Sequence, residues 1–349
     1  MPADHLPASV QTLYAELLEL EQIAVAESAS GPITGGTFVA KKIRGKTYWY
    51  LQRSEGSTVR QHYLGSDSRA LRTWMEESGA ARRSRSGDEA TRRKLADMLR
   101  SGGATAEPAG VIKVLRVLAE AGVFRFGGVL VGTQAYRALG NLLGVRLGSA
   151  AARTQDLDIA ADATIGVAFG GRVPPGEVER RLGQLEPPYL PVPGLDPRQP
   201  STTFKVRGRQ YRVDFLTPAR RSGEEHPVRL SALGCAAQPV RFLEFLLEGT
   251  AQAVVVGAGS VLVNVPDPAR FALHKLFTAG SRGATQQTKA GKDVAQAATL
   301  LDVLLGERPG DLAAAWNAIS SRRARSAIVA SVRSLSPDLR ERLATSLSF

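Results

Sequence analysis

Residues 124–160 run in an order that few chains show: an apolar stretch over 124–131, a turn at Gly132-Thr133, a helical stretch over 134–143, and the strand-like segment Thr154-Gln-Asp-Leu-Asp-Ile-Ala160. A short apolar run bounded by glycine reads as a buried strand, and apolar residues three and four apart read as a helix. In the last segment Asp156 and Asp158 alternate with Leu157 and Ile159. Successive side chains of a strand point to opposite faces, so both carboxylates share one face while the apolar pair fills the other. The pattern demands a sheet that passes through a glycine turn into a helix.

The rest of the chain fits around that unit. A helix is expected over 13–26, closed by a segment rich in glycine, serine and proline. Strand-like alternation over 37–44, 47–53 and 59–64 suggests a small antiparallel sheet, and 70–100 reads as a charged helix. The stretch 101–110, with three glycines and a proline, is the best candidate linker. After a helix over 111–121 and the unit already described comes a proline-rich excursion over 187–200. A hairpin follows over 202–216, carrying Asp214, then a second hairpin around Gly257-Ala-Gly259, and helices from Pro268 onwards. This gives an expected division into 1–105, 106–265 and 266–349.

Composition narrows the chemistry. At 349 residues the chain can bury a substantial core. A formal charge of +12 favours phosphate-rich partners, although a generally basic proteome explains it as well. Cys235 is the only cysteine, which excludes an internal disulfide and a cysteine-cluster zinc site, and the four histidines are scattered. No apolar run reaches the roughly 20 residues of a membrane span. The first residues lack a charged-then-apolar leader, so a cytoplasmic protein without membrane contact is expected.

Two aspartates on one strand and a third, Asp214, on a neighbouring strand form the donor set that holds hard divalent ions against a triphosphate. Mg²⁺ or Mn²⁺ is the expected cofactor and a nucleoside triphosphate the expected substrate, with Asp156 and Asp158 bridging the ions and Asp214 facing the acceptor hydroxyl. Gly132 and Thr133 sit where backbone amides at a helix start can meet phosphates. Lys275, Lys292 and Arg282 are candidate cations for the leaving pyrophosphate. Each also reads as a solvated helix or loop residue, Lys292-Asp293 as an exposed ion pair. His274, a lone histidine in a helix, reads as a packing or surface residue rather than a ligand.

These motifs, Gly127-Gly-Val-Leu-Val-Gly-Thr-Gln-Ala-Tyr136, Thr154-Gln-Asp-Leu-Asp-Ile-Ala160 and Val213-Asp-Phe-Leu-Thr-Pro218, resemble those of the nucleotidyltransferase superfamily that includes DNA polymerase β. Within it the chain resembles bacterial stand-alone proteins related to abortive-infection toxins, as does Phe271-Ala-Leu-His-Lys-Leu-Phe277 followed by Arg282, Lys289 and Lys292-Asp293. The resemblance covers about residues 111–305. It implies an α+β fold: a polymerase β-like mixed-sheet core, a small amino-terminal β/helical unit and a carboxy-terminal helical region. It implies a metal-dependent enzyme that moves a nucleoside monophosphate onto tRNA or another RNA, a protein or a small molecule, and a toxin role with an antitoxin partner. A non-catalytic nucleotide- or RNA-binding module and a sugar transferase holding its nucleotide sugar through paired aspartates are the alternatives.

The amino-terminal sheet sets Tyr48, Trp49, Tyr50 and Tyr63 among Lys41, Lys42, Arg44, Lys46, Arg53 and Arg60. Aromatics beside cations suit single-stranded nucleic acid or tRNA, but alternation around a small core, with basic residues guarding exposed edges, accounts for them more simply. The basic clusters at Arg82-Arg83-Ser-Arg85 and Arg92-Arg93-Lys94 read as helix faces offset by nearby acids.

Overall fold

The computed structural model describes residues 4–30, 37–43, 45–55, 58–147, 156–163, 172–194, 196, 198–221, 223–224, 226–283 and 286–347, without the side chains of 28–30, 53–55, 58, 60, 62, 74 and 77–86. The Arg82-Arg83-Ser-Arg85 side chains and residues 148–155, with Thr154 and Gln155 of the acid motif, therefore lie outside the described residues.

Strands and helices combine in an α+β arrangement around a mixed sheet. Helix α1 (Ala8–Ser30) leads to an antiparallel three-stranded sheet, β1 (Thr37–Ile43), β2 (Lys46–Glu55) and β3 (Thr58–Ser66), and then to the long α2 (Arg69–Ser101). Ser68 caps α2 by accepting from the Leu71 amide. After α3 (Ala109–Glu120) comes the central sheet. It is built in the order β4 (Val129–Val131), β5 (Asp156–Ala160), β8 (Arg212–Pro218), β10 (Cys235–Val240), β9 (Val228–Leu230), and β7 (Thr203–Val206) joins β8 and carries β6 (Tyr189–Pro191) on its far side. Helix α4 (Gly132–Leu142) follows β4 without a break.

Strand β4 is shorter than expected. The apolar stretch from residue 124 enters it only at Val129, because Gly122 and Gly127 hold φ of 89° and 90° and wind 121–127 into turns. Its function in the fold is kept, since Val129, Leu130 and Val131 are buried and antiparallel to Ala160, Ile159 and Asp158.

The expected linker is pinned to the core. Asn141 bonds both backbone groups of Thr105 at 2.8 Å, the Glu107 amide donates to Val256 O at 2.7 Å, and Glu107 pairs with the buried Arg137. These partners lie 30 or more residues away along the chain, so nothing in the local glycine-rich composition reveals them.

A hairpin of β11 (Thr250–Gly257) and β12 (Gly259–Pro266) separates two apolar clusters. Ala253, Val255, Val261, Val263 and Val265 face the main core, while Val254, Val256 and Leu262 pack with Tyr14 and Leu17 of α1 and Leu95 and Leu99 of α2. Both faces are buried, which explains the nearly unbroken apolar run of the strands. Between strands lie the short helices α5 (Glu177–Gly183) and α6 (Glu244–Leu247), and the chain ends in helices α7 (Pro268–Ser281), α8 (Gln287–Glu307), α9 (Pro309–Asn317), α10 (Arg322–Val332) and α11 (Pro337–Leu347). Among the described residues no helix is long and apolar enough to cross a membrane.

Candidate functional site

Strand pairing brings the separate motifs into one row. Val131, the last residue of β4, is opposite Asp158; Asp158 is opposite Asp214; and Asp214 is opposite Thr203 of β7. Asp156 lies two residues before Asp158, beside Arg212, on the same face. Leu157, Ile159, Val213 and Phe215 fill the opposite face, each at most 2 % exposed. The sequence thus fixes the facing of the acids by burying their neighbours.

Gly132 begins α4 at the end of that row with φ of 68°, and a Cβ built there would collide with Oδ2 of Asp158. Only glycine permits this approach of backbone and carboxylate. Helix α4 starts beside Asp158 with no side-chain cap hydrogen bond from Val131, and the half-buried Thr133 is its second residue.

The acids differ in environment. Asp158 has its pKa raised to about 6, first by burial and then by the charges of Asp214 and Asp156, against which Lys275 and Arg212 act more weakly. Asp214 is also raised, mainly by burial, although Thr203 Oγ1 donates to its Oδ1 at 2.6 Å and Arg212 Nε lies 2.7 Å from its Oδ2. Arg212 also reaches Asp156, with Nη2 3.8 Å from Oδ2. Its guanidinium is the cation these carboxylates share.

The donor chemistry suits a hard divalent ion: carboxylates on adjacent strands, a stand-in cation between two of them, and an acid whose proton affinity is raised first by burial and then by neighbouring negative charge. Among the described residues, however, no group of three or more His, Cys, Asp or Glu side chains is drawn together closely enough to hold an ion by itself. Asp156 and Asp214 close on Arg212 instead. Mg²⁺ sites made from one or two carboxylates and substrate phosphates need no all-protein cage.

The three cations singled out in the sequence gather around one buried acid. Lys275 Nζ is 2.9 Å from Asp293 Oδ1, and Arg282 Nη2 is 2.8 Å from Asp293 Oδ2. Asp293 is only 4 % exposed, so Lys292-Asp293 is not an exposed ion pair. Lys292 itself is half-buried, its pKa lowered first by burial and then by Lys275. Arg282 follows the last turn of α7, where its side chain folds back onto α8. Packing aims Lys275: Phe271, one helical turn before it, is buried and stacks on Tyr136 of α4, and Lys275 Nζ lies 5.3 Å from the Phe271 ring centre. Charge coupling of Lys275 to Asp158, and of Lys292 to Asp156, places this cluster beside the acid row.

His274 belongs to the packing, stacked on Phe242 at 5.9 Å with its pKa depressed to about 3, mainly by burial. Arg212 and Thr203 join the site without being singled out by the motifs, and Asp293, which the motifs name only beside Lys292, takes a role they do not give it. Arg212 was accessible to strand alternation, being two residues before Asp214. Thr203 and Asp293 depend on strand register and helix docking, which the motifs do not encode.

A family model described as Nucleotidyltransferase matches residues 109–321, a span that holds α3, the whole acid row and the Asp293 cluster. No curated protein and no solved structure matches the chain. With more than half of its length covered by that match, the chain belongs to this nucleotidyltransferase family.

Proposed function

We propose that the chain transfers a nucleoside monophosphate from a nucleoside triphosphate to an acceptor hydroxyl, with Mg²⁺ or Mn²⁺ held by Asp156, Asp158 and Asp214. The row Val131–Asp158–Asp214–Thr203, ending at the glycine start of α4, carries this reading. When bound, the divalent ion neutralises phosphate charge and lowers the pKa of the attacking hydroxyl. Everything else falls to side chains and amides of the chain.

Gly132 lets the phosphates approach the α4 amides, and Thr133 adds a hydroxyl beside them. Asp214, held on one oxygen by Thr203, is the candidate acceptor for the hydroxyl proton. Lys275 and Arg282, fixed by Asp293, and the neighbouring Lys292 supply positive charge for the departing pyrophosphate. Arg212 must leave Asp214 and Asp156 for those acids to take an ion.

The finer placement goes with this reading: a polymerase β-like core at 106–265 between an amino-terminal unit at 1–105 and a helical region at 266–349, in a cytoplasmic protein akin to abortive-infection toxins. The acceptor class is tRNA or another RNA, a protein side chain or a small molecule, and a toxin role would bring an antitoxin partner. The test is transfer of labelled nucleotide from each of the common triphosphates with Mg²⁺ or Mn²⁺ to RNA and protein extracts. Transfer is expected, and it is expected to vanish in the Asp156→Ala, Asp158→Ala double variant; unchanged transfer there removes the site.

The Arg212 contacts favour a second reading, a nucleotide-binding module whose acids serve a guanidinium rather than an ion. Triphosphate binding that needs no divalent ion and is followed by no turnover would establish it.

A further inference from the structure

The three-stranded sheet has two unlike faces. Trp49 and Gly65 are register partners; a Cβ at Gly65 would touch Leu71 of α2 at 3.5 Å, and Trp49 Nε1 donates to Asp67 at 3.0 Å. Leu51, two residues from Trp49, is 3 % exposed. That face meets the first turn of α2 at Leu71, which satisfies the small-core explanation. It does not account for the other one.

Tyr48 and Tyr50 alternate with Trp49 along β2, and a register break between Trp49 and Tyr50 makes Tyr63, two residues before Gly65, the partner of Tyr50. Their rings form a continuous cluster, with centroids 6.2 Å apart for Tyr48–Tyr63 and 5.5 Å for Tyr50–Tyr63. Tyr63 is 59 % exposed. Lys41, itself exposed, holds its ammonium 4.8 Å from the Tyr50 ring centre, and the exposed Lys46, two residues before Tyr48, shares that face, while Lys42 alternates to the Trp49 face. Across 37–66 the sequence has six Lys and Arg against a single acid, Glu55.

We propose that the Tyr48–Tyr50–Tyr63 face binds single-stranded RNA, stacking unpaired bases on the tyrosines while Lys41 and Lys46 meet phosphates. Tyrosine faces stack any base, and lysines at their margin follow the backbone, which is the chemistry of sequence-tolerant single-strand platforms. A protein partner would find little acid here with which to match its own cations, whereas a polyanion is complementary to this surface. The choice of RNA over DNA rests on the proposed function, whose nucleic-acid acceptor class is RNA.

Binding is read by fluorescence anisotropy of a labelled single-stranded RNA of about 12 nucleotides, using the full chain without nucleotide or divalent ion. Failure of nucleotidyl transfer then leaves the measurement intact. Wild-type protein should bind, Tyr50→Ala and Tyr63→Ala should each weaken binding about tenfold, and Tyr63→Phe should restore it. Lys41→Ala should make the log–log salt slope shallower by about 0.7. Comparable melting temperatures are expected for all four variants, because the altered side chains lie off the packed face. The proposal is overturned if no RNA binds, if the Tyr50→Ala, Tyr63→Ala double variant binds like wild type, or if duplex RNA binds as tightly as the single strand. Equal binding of the corresponding DNA strand overturns the assignment to RNA.

Discussion

Arg212 lies within reach of two acids of the row, 2.7 Å from Asp214 and 3.8 Å from Asp156. A guanidinium and a divalent ion draw on the same oxygens, so each opposes the other. Removing the arginine should therefore raise affinity for the ion: in Arg212→Ala, millimolar Mg²⁺ should raise the melting temperature by more than it does in wild type, because a ligand that binds only the folded state stabilises it according to its affinity. A Mg²⁺ response no larger than that of wild type would mean that Arg212 does not compete with an ion for these acids. At this scale the sequence was readable where alternation governs facing, as for Asp156, Asp158 and Asp214. It was opaque for Thr203, which meets Asp214 only because β7 pairs with β8 in one register.

The elements α7 and α8 are coupled through Asp293. Lys275 and Asp293 have side chains only 12 % and 6 % exposed, so Asp293→Asn leaves a buried cation short of its partner. The expected cost is about 3 kcal/mol, by comparison with other buried pairs that have lost one member. Urea unfolding should show that loss, and triphosphate binding should weaken with it, since Lys275 and Arg282 lose their anchor. The helical spacing of Phe271 and Lys275 made the first of these cations legible, but the spacing of α8 says nothing about which of its faces meets α7.

Helix α7 also carries a pH dependence. The folded-state pKa of His274 is depressed from 6.5 to about 3, chiefly by burial. A base that is harder to protonate when folded stabilises the protein fully above its unfolded pKa, and that contribution is lost as pH falls from about 6.5 towards 3. His274→Phe keeps an aromatic ring against Phe242 and removes the titration. Its stability should decline less than that of wild type across this window in urea titrations at stepped pH; parallel declines would show that His274 does not contribute.

For the molecule as a whole, the β11–β12 hairpin ties the amino-terminal helices to the sheet. Leu17 is fully buried in the second cluster, and Leu17→Ala should cost about 2–5 kcal/mol with a single unfolding transition if both clusters melt together. Two separated transitions would show that the clusters unfold independently. Local patterns grouped α1 and α2 with the small sheet, because periodicity shows that a helix has an apolar side without showing what covers it. Most elements were legible one by one: the three-stranded sheet, both hairpins and the succession of helices after Pro268. The pinned segment 102–108 was not, since its hydrogen-bond partners come from α4 and β11.

The Tyr14 hydroxyl receives the Val254 amide at 2.9 Å, across 240 positions of the chain. On the ribosome, α1 emerges long before the strand it rests against has been made. Until then Leu17, Leu95 and Leu99 have no hairpin to cover them, and the nascent chain carries an adhesive surface that chaperones or like chains can reach. Pausing in translation ahead of residue 250 should therefore harm the yield of native protein more than pausing after residue 266, where the hairpin is complete.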